Sequence, residues 1–347
     1  MKTALIVGSG LAGISVFCRL RSRGIKATII SYRSLGSSSS IATGMYNPIV
    51  FRRVAKSWMI DDLLPVLHEF YSELETTFGI YINQSIKFKR RIPNSDYEGM
   101  WNKHALKSDF QSFIDQAENG FGNVKRAGII DCHKLVSTFE KHASENGFLL
   151  NESFGYNHLE LGEIISYKGK TYDTVFFCEG PHAVENPYFN WLPFNVCKGE
   201  WIIIKTEKEL DSAVINNVVN IIPLGERRYK LSSTCSWKEL DWNSTSEAEK
   251  ELCSAFKEVY DCNYEIVDRA AGLRPTVADR RPYLGEHPEH RGLYIFNGLG
   301  SKGVMLAPYF SQHLVDHMLD GKPLIPEVDI QRHAKRYWNR ANDQSHD

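Results

Sequence analysis

The chain has 347 residues, of which 42% are hydrophobic and 24% charged, as is typical of a globular protein that buries a large core. At roughly 100–200 residues per domain, this length predicts two domains. The 41 basic and 42 acidic residues give a formal net charge of −1, so the overall charge predicts neither a nucleic-acid partner nor an anionic membrane.

The N-terminus predicts a βαβ unit. Residues 4–7 are a continuous apolar run, as in a parallel strand that is buried on both faces. Ile14, Phe17 and Cys18 then recur at helical spacing, and Gly24 closes this helix. Residues 27–30 form a second apolar run, so a strand, a helix and a strand follow one another at the start of the chain.

The turn between the first strand and the helix has the GxGxxG pattern of dinucleotide-binding loops. Gly8 permits a tight turn, Gly10 lets the backbone approach a pyrophosphate, and Gly13 lets the helix pack on the sheet. The helix N-terminus offers N–H groups to the phosphates. A fortuitous glycine-rich turn is the alternative, but the surrounding strand and helix favour dinucleotide binding. The predicted loop consists of Gly8, Ser9, Gly10, Leu11, Ala12 and Gly13.

One position departs from this pattern. After the second strand, about 20 residues on, where an acid usually binds the ribose hydroxyls, the chain has Ser31, followed by Tyr32. A serine accepts a hydrogen bond but lacks the charge of a carboxylate. This half of the chain therefore leaves NAD and FAD open as the cofactor.

The middle of the chain mixes helices with a further strand. The serine-rich residues 34–44 suit a flexible linker, but their place directly after the βαβ unit favours a functional segment. Helices are predicted over residues 60–80 and 131–147. A buried strand over residues 174–178 leads into Glu179 and Gly180.

The second half predicts an antiparallel sheet and then a return to the first domain. Residues 199–235 alternate and contain β-branched runs, which is typical of antiparallel strands. Residues 293–296 form a last buried strand, which runs into the glycine-rich turn at residues 298–303. A helix follows, and we expect Pro308 to lie in its first turn, where proline is tolerated.

The seven cysteines are scattered, with no CxxC spacing, which predicts thiols in a reducing compartment and no bound metal. The N-terminus has no signal-peptide pattern, and no apolar stretch approaches the roughly 18–20 residues of a membrane span. We therefore expect a cytoplasmic protein without a membrane partner.

Motifs near both ends of the chain carry a resemblance. They are the GSGLAG loop, SIATGM at residues 40–45, GLRPTVAD at residues 272–279 with RPYLG at 281–285, and LYIFNGLGSKGVMLAP at 293–308. Together they resemble the D-amino acid oxidase family of flavoproteins, and glycine oxidases in particular. The LGSKG tail also resembles the oxidase half of the bifunctional enzyme that matures 5-(carboxymethyl)aminomethyl-uridine in tRNA.

The resemblance implies an α/β fold, in which a Rossmann-like FAD-binding domain with a mostly parallel sheet is interleaved with an α+β substrate domain on a largely antiparallel sheet. We assign residues 1–55, 122–185 and 268–340 to the FAD-binding domain. Residues 56–121 and 186–267 form the substrate domain, and 341–347 a tail.

The resemblance also implies non-covalent FAD, because no cysteine stands at residues 271–273, where some relatives attach the flavin. The predicted cofactor contacts follow the strand ends and the serine-rich run. Besides the loop itself, they are Ser31, Tyr32, Ser39, Ser40, Thr43, Gly44, Met45, Glu179, Gly180, Gly300, Ser301, Lys302, Gly303, Val304 and Met305.

Two residues are predicted to be catalytic. The resemblance assigns Arg274 to the substrate carboxylate, which an arginine can bind with two hydrogen bonds, although an ion pair with Asp279 is the alternative. Lys302 lies in the glycine-rich turn, where it could hold the substrate or stabilise an anionic flavin. A solvent-exposed lysine is the alternative there.

The resulting hypothesis is oxidation of the C–N bond of an amino acid or secondary amine by hydride transfer to FAD, with dioxygen as the acceptor. A tRNA wobble-uridine carboxymethylaminomethyl oxidase is an alternative, for which the basic clusters at residues 51–53, 87–91 and 332–336 argue. A nicotinamide-dependent dehydrogenase and a non-catalytic flavin-binding protein are further alternatives.

Overall fold

The computed structural model describes residues 2–32, 37–232 and 234–344, so part of the serine-rich run, residues 34–36, and the last residues of the predicted tail lie outside it. The helices are α1 (Leu11–Ser22), α2 (Ser38–Ile41), α3 (Ile60–Phe78), α4 (Ser95–Ala105), α5 (Cys132–Glu145), α6 (Ser246–Lys257), α7 (Gly303–Asp320) and α8 (Ala334–Gln344). Short 3-10 turns cover Phe51–Arg53, Tyr156–His158, Gly180–Glu185, Gly300–Lys302 and Ile330–His333.

The strands are β1 (Thr3–Val7), β2 (Lys26–Ile30), β3 (Met45–Tyr46), β4 (Ile49–Val50), β5 (Ala55–Lys56), β6 (Asn83–Ser85), β7 (Phe88–Arg91), β8 (Phe121–Val124), β9 (Gly128–Ile130), β10 (Leu149–Leu150), β11 (Leu159–Glu160), β12 (Ile165–Tyr167), β13 (Lys170–Tyr172), β14 (Thr174–Phe177), β15 (Cys197–Thr206), β16 (Val214–Asn216), β17 (Asn220–Gly225), β18 (Arg228–Ser232), β19 (Tyr264–Arg274), β20 (Tyr283–Glu286) and β21 (Leu293–Asn297).

The described chain divides into two compact units. Residues 1–42, 132–197 and 273–347 form the first unit, and residues 43–131 and 198–272 form the second. The functional roles and the domain boundaries that we assigned from the sequence stay predictions.

The first unit is built on a mostly parallel sheet. Its strand order is β10-β2-β1-β14-β21-β20, in which β1 runs parallel to β2 and β14, and β14 runs parallel to β21. The residues of β21 and most of those of β1 are buried, as the continuous apolar runs predicted. Only β20 joins the sheet antiparallel, against β21, among the pairings of the described residues.

The second unit is built on a largely antiparallel sheet with the order β19-β15-β18-β17-β16-β7-β8. Strands β15, β18, β17 and β16 pair antiparallel, as the alternation over residues 199–235 predicted, whereas β16 and β7 pair parallel. Ile204 and Leu231 of this sheet pack with Leu252 and Phe256 of α6 in one buried cluster. An amphipathic helix thus covers one face of the sheet.

The predicted helices form with shifts of a few residues at their ends. Gly79, in the left-handed region, ends α3 shortly before the predicted boundary at residue 80. The expectation for Pro308 was wrong: α7 begins at Gly303, so Pro308 lies beyond the first turn, where its ring nitrogen cannot donate the helical hydrogen bond of that position. Burial of Val304, Leu306 and Phe310 on the same helix offsets this cost.

Of the helices in the described residues, none combines the length and apolar character that a membrane span requires.

Candidate functional site

The carboxyl ends of four strands meet at one edge of the parallel sheet. Gly8 follows β1, Ser31 follows β2, Glu179 follows β14, and Gly298 follows β21. Because these strands are parallel neighbours, the segments that leave them lie side by side. In open α/β sheets, ligands bind at this edge. The fold therefore brings together predicted cofactor contacts that are far apart in the sequence.

The first glycine-rich turn is packed so closely that side chains are excluded. A Cβ at Gly13 would lie 1.9 Å from the carbonyl oxygen of Gly8. A Cβ at Gly8 would lie 2.4 Å from the carbonyl oxygen of Cys178, and Gly8 has a φ of +106°. Both obstacles are backbone atoms, which cannot move aside as a flexible side chain can. The geometry therefore requires glycine at both positions.

The serine-rich run is an ordered helix from Ser38, so the linker alternative does not hold for its described residues. Ser39 Oγ accepts a hydrogen bond from Leu11 N at 3.0 Å, and a Cβ at Gly10 would lie 2.9 Å from that oxygen. Ser38 Oγ donates to the carbonyl oxygen of Leu273. Ser40 Oγ is buried and has no hydrogen-bond partner among the described residues.

These residues fit a diphosphate-bearing cofactor. Helix α1 begins at Leu11 with Gly10 as its N-cap, which has no side chain to bind the first amides. The amides of a first helical turn have no intrahelical partner and carry partial positive charge. Leu11 N donates to Ser39 Oγ, so the next amides of this turn are the donors left for phosphate oxygens, and the buried hydroxyl of Ser40, one residue from Ser39, is a further donor.

A carboxylate that the sequence did not reveal lies beside this loop. Ser9 Oγ donates to Glu140 Oε1 at 2.5 Å, and Ser9 Oγ and Ser31 Oγ are 2.8 Å apart. Glu140 belongs to α5 and is 131 residues from Ser9. Since nothing local in the sequence links the two, no motif could have pointed to it.

Glu179 has a different environment from that of an open phosphate site. Its carboxylate accepts hydrogen bonds from Tyr156 Oη and, at 2.7 Å, from Asn186 Nδ2. Burial raises the pKa of Glu179 to about 7, against the opposing effect of these two donors. The carbonyl oxygen of Gly180 accepts from Asn297 Nδ2 at 3.0 Å, a contact that the sequence analysis missed. The side chain of Glu179 therefore links Tyr156 and Asn186 at this edge of the sheet.

The second glycine-rich turn carries charge. Gly298 and Gly300 adopt positive φ values of 75° and 54°, and Ser301 is exposed. Lys302 is partly buried just before α7, and burial, with a smaller effect from Arg280, lowers the pKa of its ammonium group. The alternative of a fully exposed lysine therefore does not hold. Val304 and Met305, which follow in α7, are buried.

Arg274 lies at the end of β19, beside this second turn. Gly300 N donates to the carbonyl oxygen of Pro275 at 3.2 Å, which ties the segment after Arg274 to the turn. Arg274 is half-buried, and its Nη1 lies 3.7 Å from Cys197 Sγ. Asp279, the alternative ion-pair partner, accepts from Arg332 Nε at 3.1 Å. The carboxylate of Asp279 is thus paired with Arg332.

Four further predicted contacts are Tyr32, Thr43, Gly44 and Met45. Thr43, Gly44 and Met45 belong to the second unit, where the carbonyl oxygen of Gly44 accepts from Ile130 N at 2.9 Å. Tyr32 lies in the first unit and is 57% exposed. The cofactor roles of all four stay predictions.

The basic cluster at residues 87–91 is bound to protein groups within the second unit. Lys89 Nζ lies 2.5 Å from Asp211 Oδ2. Arg90 Nη1 donates to Asn216 Oδ1 at 2.7 Å, and Arg91 Nη1 donates to the carbonyl oxygen of Glu258 at 2.9 Å. The ion pair offsets the charge of Lys89, whereas bonds to neutral oxygens leave the charges of Arg90 and Arg91 in place. The tRNA alternative therefore stays open.

Comparison with known proteins gives a consistent result. The family model DAO, described as FAD dependent oxidoreductase, matches residues 3–317. A glycine oxidase from Geobacillus kaustophilus is 30% identical over 346 residues, which covers 87% of this chain and 89% of the relative. A glycine oxidase from Pseudomonas putida is 29% identical over 137 residues, a match that spans 39% of this chain and only 38% of that relative's length.

A solved structure shares the fold. Iminodiacetate oxidase from Chelativorans sp. BNC1 superposes with a TM-score of 0.75 at 20% identity, covering 95% of this chain and 98% of the other. At this identity the likeness concerns the mixed α/β fold with its parallel and antiparallel sheets.

Proposed function

The chain belongs to the FAD dependent oxidoreductase family, and we propose that it oxidises the C–N bond of an amino acid or a related secondary amine. Family membership confirms the predicted resemblance, the enzyme class and the FAD cofactor. The names of the relatives, glycine oxidase and iminodiacetate oxidase, support a small amine that carries a carboxylate.

The observation that carries this proposal is the position of Arg274. It lies at the end of β19, half-buried, in a segment that a backbone hydrogen bond ties to the glycine-rich turn before α7. A guanidinium group binds a carboxylate with two parallel hydrogen bonds, which fixes both the position and the orientation of the ligand. We assign the substrate carboxylate to this side chain.

The chemistry follows from holding the amine in place. Bound FAD would supply the acceptor for a hydride from the α-carbon of the amine. The first turn (residues 8–13) with Ser40 would hold the diphosphate, and Gly300–Met305 would lie near the ring. The amine, bound as its free base, loses this hydride and becomes an iminium ion, which water hydrolyses to an oxo acid and protonated ammonia or a smaller protonated amine. Alignment of the reacting atoms supplies much of the rate, so no general base is required.

Lys302 is the second proposed contributor. Lys302 is the N-cap residue of α7, and partial burial of its side chain strengthens its electrostatic interactions. We propose that it stabilises negative charge that accumulates nearby when the substrate is oxidised. Dioxygen is the proposed final acceptor, which takes two electrons and two protons to give hydrogen peroxide.

The test is anaerobic bleaching of the flavin absorbance by a panel of glycine, sarcosine, proline, D-amino acids and undermodified tRNA. We expect at least one small amine to bleach the spectrum, and peroxide to form when air is admitted. Bleaching by the tRNA alone would establish the tRNA alternative instead. Bound FAD that no member of the panel reduces would reject amine oxidation.

A further inference from the structure

The adenosine ribose of FAD needs an acceptor that the usual position does not supply. Dinucleotide-binding folds place an acid at the end of the second strand for the ribose hydroxyls. Here β2 ends at Ile30 and is followed by Ser31, which has no charge. The structure places a carboxylate at the same point from another element. We propose that Glu140 of α5 is the charged acceptor for the adenosine ribose of FAD.

Three side chains form a connected chain of hydrogen bonds at this point. Ser31 Oγ lies 2.8 Å from Ser9 Oγ, which in turn lies 2.5 Å from Glu140 Oε1. Ser9 is 6% exposed, whereas Ser31 and Glu140 are partly exposed. The carboxylate is thus at the rim of the dinucleotide loop, where a ligand can reach it.

The direction of these hydrogen bonds follows from the chemistry of the groups. An ionised carboxylate only accepts, so Ser9 donates its proton to Glu140. Ser31 must then donate to Ser9, which leaves the lone pairs of Ser31 to accept from a ligand hydroxyl. The arrangement presents acceptors, as a ribose diol requires.

Helix packing fixes the position of Glu140. Phe139, the neighbouring residue, is fully buried and packs edge-on against Phe17 of α1 at 5.3 Å between ring centroids. Because α1 begins in the dinucleotide loop, this contact holds Glu140 in register with the loop. A hydrogen bond from a ligand hydroxyl to a carboxylate is roughly twice as strong as one to a neutral oxygen.

A purely structural role for Glu140 is the rival explanation, since a carboxylate near Ser9 also stabilises the N-terminus of α1. The two roles differ in what the ligand must carry. A ribose acceptor acts only on a cofactor that has ribose hydroxyls, whereas a structural carboxylate affects any cofactor equally.

The experiment compares Glu140→Gln with the unsubstituted protein, using FAD and an FAD analogue whose adenosine is 2′,3′-dideoxyadenosine. Dissociation constants are measured on the apoprotein by quenching of flavin fluorescence. We expect Glu140→Gln to weaken FAD binding by about tenfold to a hundredfold, the loss of one charged hydrogen bond, and to leave binding of the analogue unchanged. The proposal would be overturned if Glu140→Gln weakened the binding of both ligands equally, or if it weakened the binding of neither.

Two further variants sharpen this comparison. Ser31→Asp in the Glu140→Gln protein returns the acid to the usual position, and we expect it to restore most of the FAD affinity. Glu145→Gln is the matched control on the same helix, because Glu145 is exposed and lies 4.0 Å from Lys141. Failure of Ser31→Asp to restore any affinity would also count against the proposal.

If Glu140→Gln does not fold, Glu140→Asp, which keeps the charge but shortens the side chain, gives the same comparison of the two ligands. The inference rests on FAD and not on the amine chemistry. Binding is measured without an amine, so a negative result in the bleaching test leaves these dissociation constants interpretable.

Discussion

The two glycine-rich turns of the first unit lie at the same sheet edge but use glycine differently. At residues 8–13, a Cβ would meet backbone carbonyls at 1.9 and 2.4 Å. At residues 298–303, the nearest atom to a Cβ at Gly300 is a side-chain carbon of Thr276 at 3.4 Å, and the positive φ values are what favour glycine. Backbone atoms close the first turn, whereas the contacts in the second are looser: a Cβ at Gly298 would lie 3.1 Å from a side-chain carbon of Val277.

This difference separates holding the cofactor from acting on the substrate. The first turn offers backbone donors and the hydroxyl groups of α2, which suit an unreactive diphosphate. The second turn adds the ammonium group of Lys302 and is bonded to the segment that follows Arg274. We expect changes in the first turn to abolish cofactor binding, and changes near the second to alter turnover with the cofactor still bound.

The largest effect is expected from Gly13→Ala. Its methyl group would overlap the carbonyl oxygen of Gly8, and such overpacking costs about 3 kcal/mol or forces the loop apart. Purified protein should therefore contain less than about a tenth of the normal FAD, measured by absorbance at 450 nm. Gly99→Ala is the control, because a Cβ at Gly99 on α4 would have no atom of another element within 4 Å. Full FAD content in Gly13→Ala would refute the close-packed turn.

Arg274→Ala should retain FAD but bind substrate poorly. Losing the charged hydrogen bonds to a carboxylate costs about 1.5–3 kcal/mol, so we expect the Michaelis constant to rise by about tenfold or more. Steady-state kinetics with the amine found in the bleaching test measure this. Arg269→Ala, on the same strand and paired with Glu249 at 2.8 Å, should leave the constant unchanged. An unaltered Michaelis constant in Arg274→Ala would reject the assignment.

Glu179→Gln tests the sheet edge beside the first turn through the pH dependence of stability. The folded protein raises the pKa of this carboxyl to about 7, so its contribution to stability is full below about pH 4 and is lost as the pH rises through 7. Because the side chain of Glu179 is partly exposed, we expect this loss in the free energy of unfolding to be about 1–2 kcal/mol. The variant should show a flatter dependence of Tm on pH, whereas Glu163→Gln, which is exposed, should behave like the unsubstituted protein.

The smallest effect is expected from Lys302→Met, at roughly threefold on the rate of anaerobic flavin reduction, since one partly screened charge is removed. The pKa of Lys302 is lowered, so its ammonium group loses its proton at a lower pH than an ordinary lysine does. In the unsubstituted protein, stopped-flow rates should therefore fall as the pH rises, and this fall should be absent from Lys302→Met. Lys322→Met, which removes an exposed partner of Asp316, is the control. Identical pH profiles would exclude a role for Lys302.

The sequence predicted what short-range geometry determines. The turn at Gly8 to Gly13, its flanking strands and the parallel sheet follow from local patterns, because a tight turn and a buried strand impose their own residue types. Glu140 could not be predicted, since the contact of Phe139 with Phe17 places it beside Ser9. The position of Pro308 was also missed, because burial of α7 outweighs a local preference.

The order of the strands in the first sheet has a consequence for the growing chain. Strand β1 is complete after residue 7, but its neighbour β14 ends at Phe177, and β21, next in the sheet, ends at Asn297. At about 5–20 residues per second, a ribosome needs about 15–60 s to deliver that last strand. Until then the apolar residues of β1 and β14 are not fully covered, so nascent chains of this protein should be substrates for chaperones that bind hydrophobic segments.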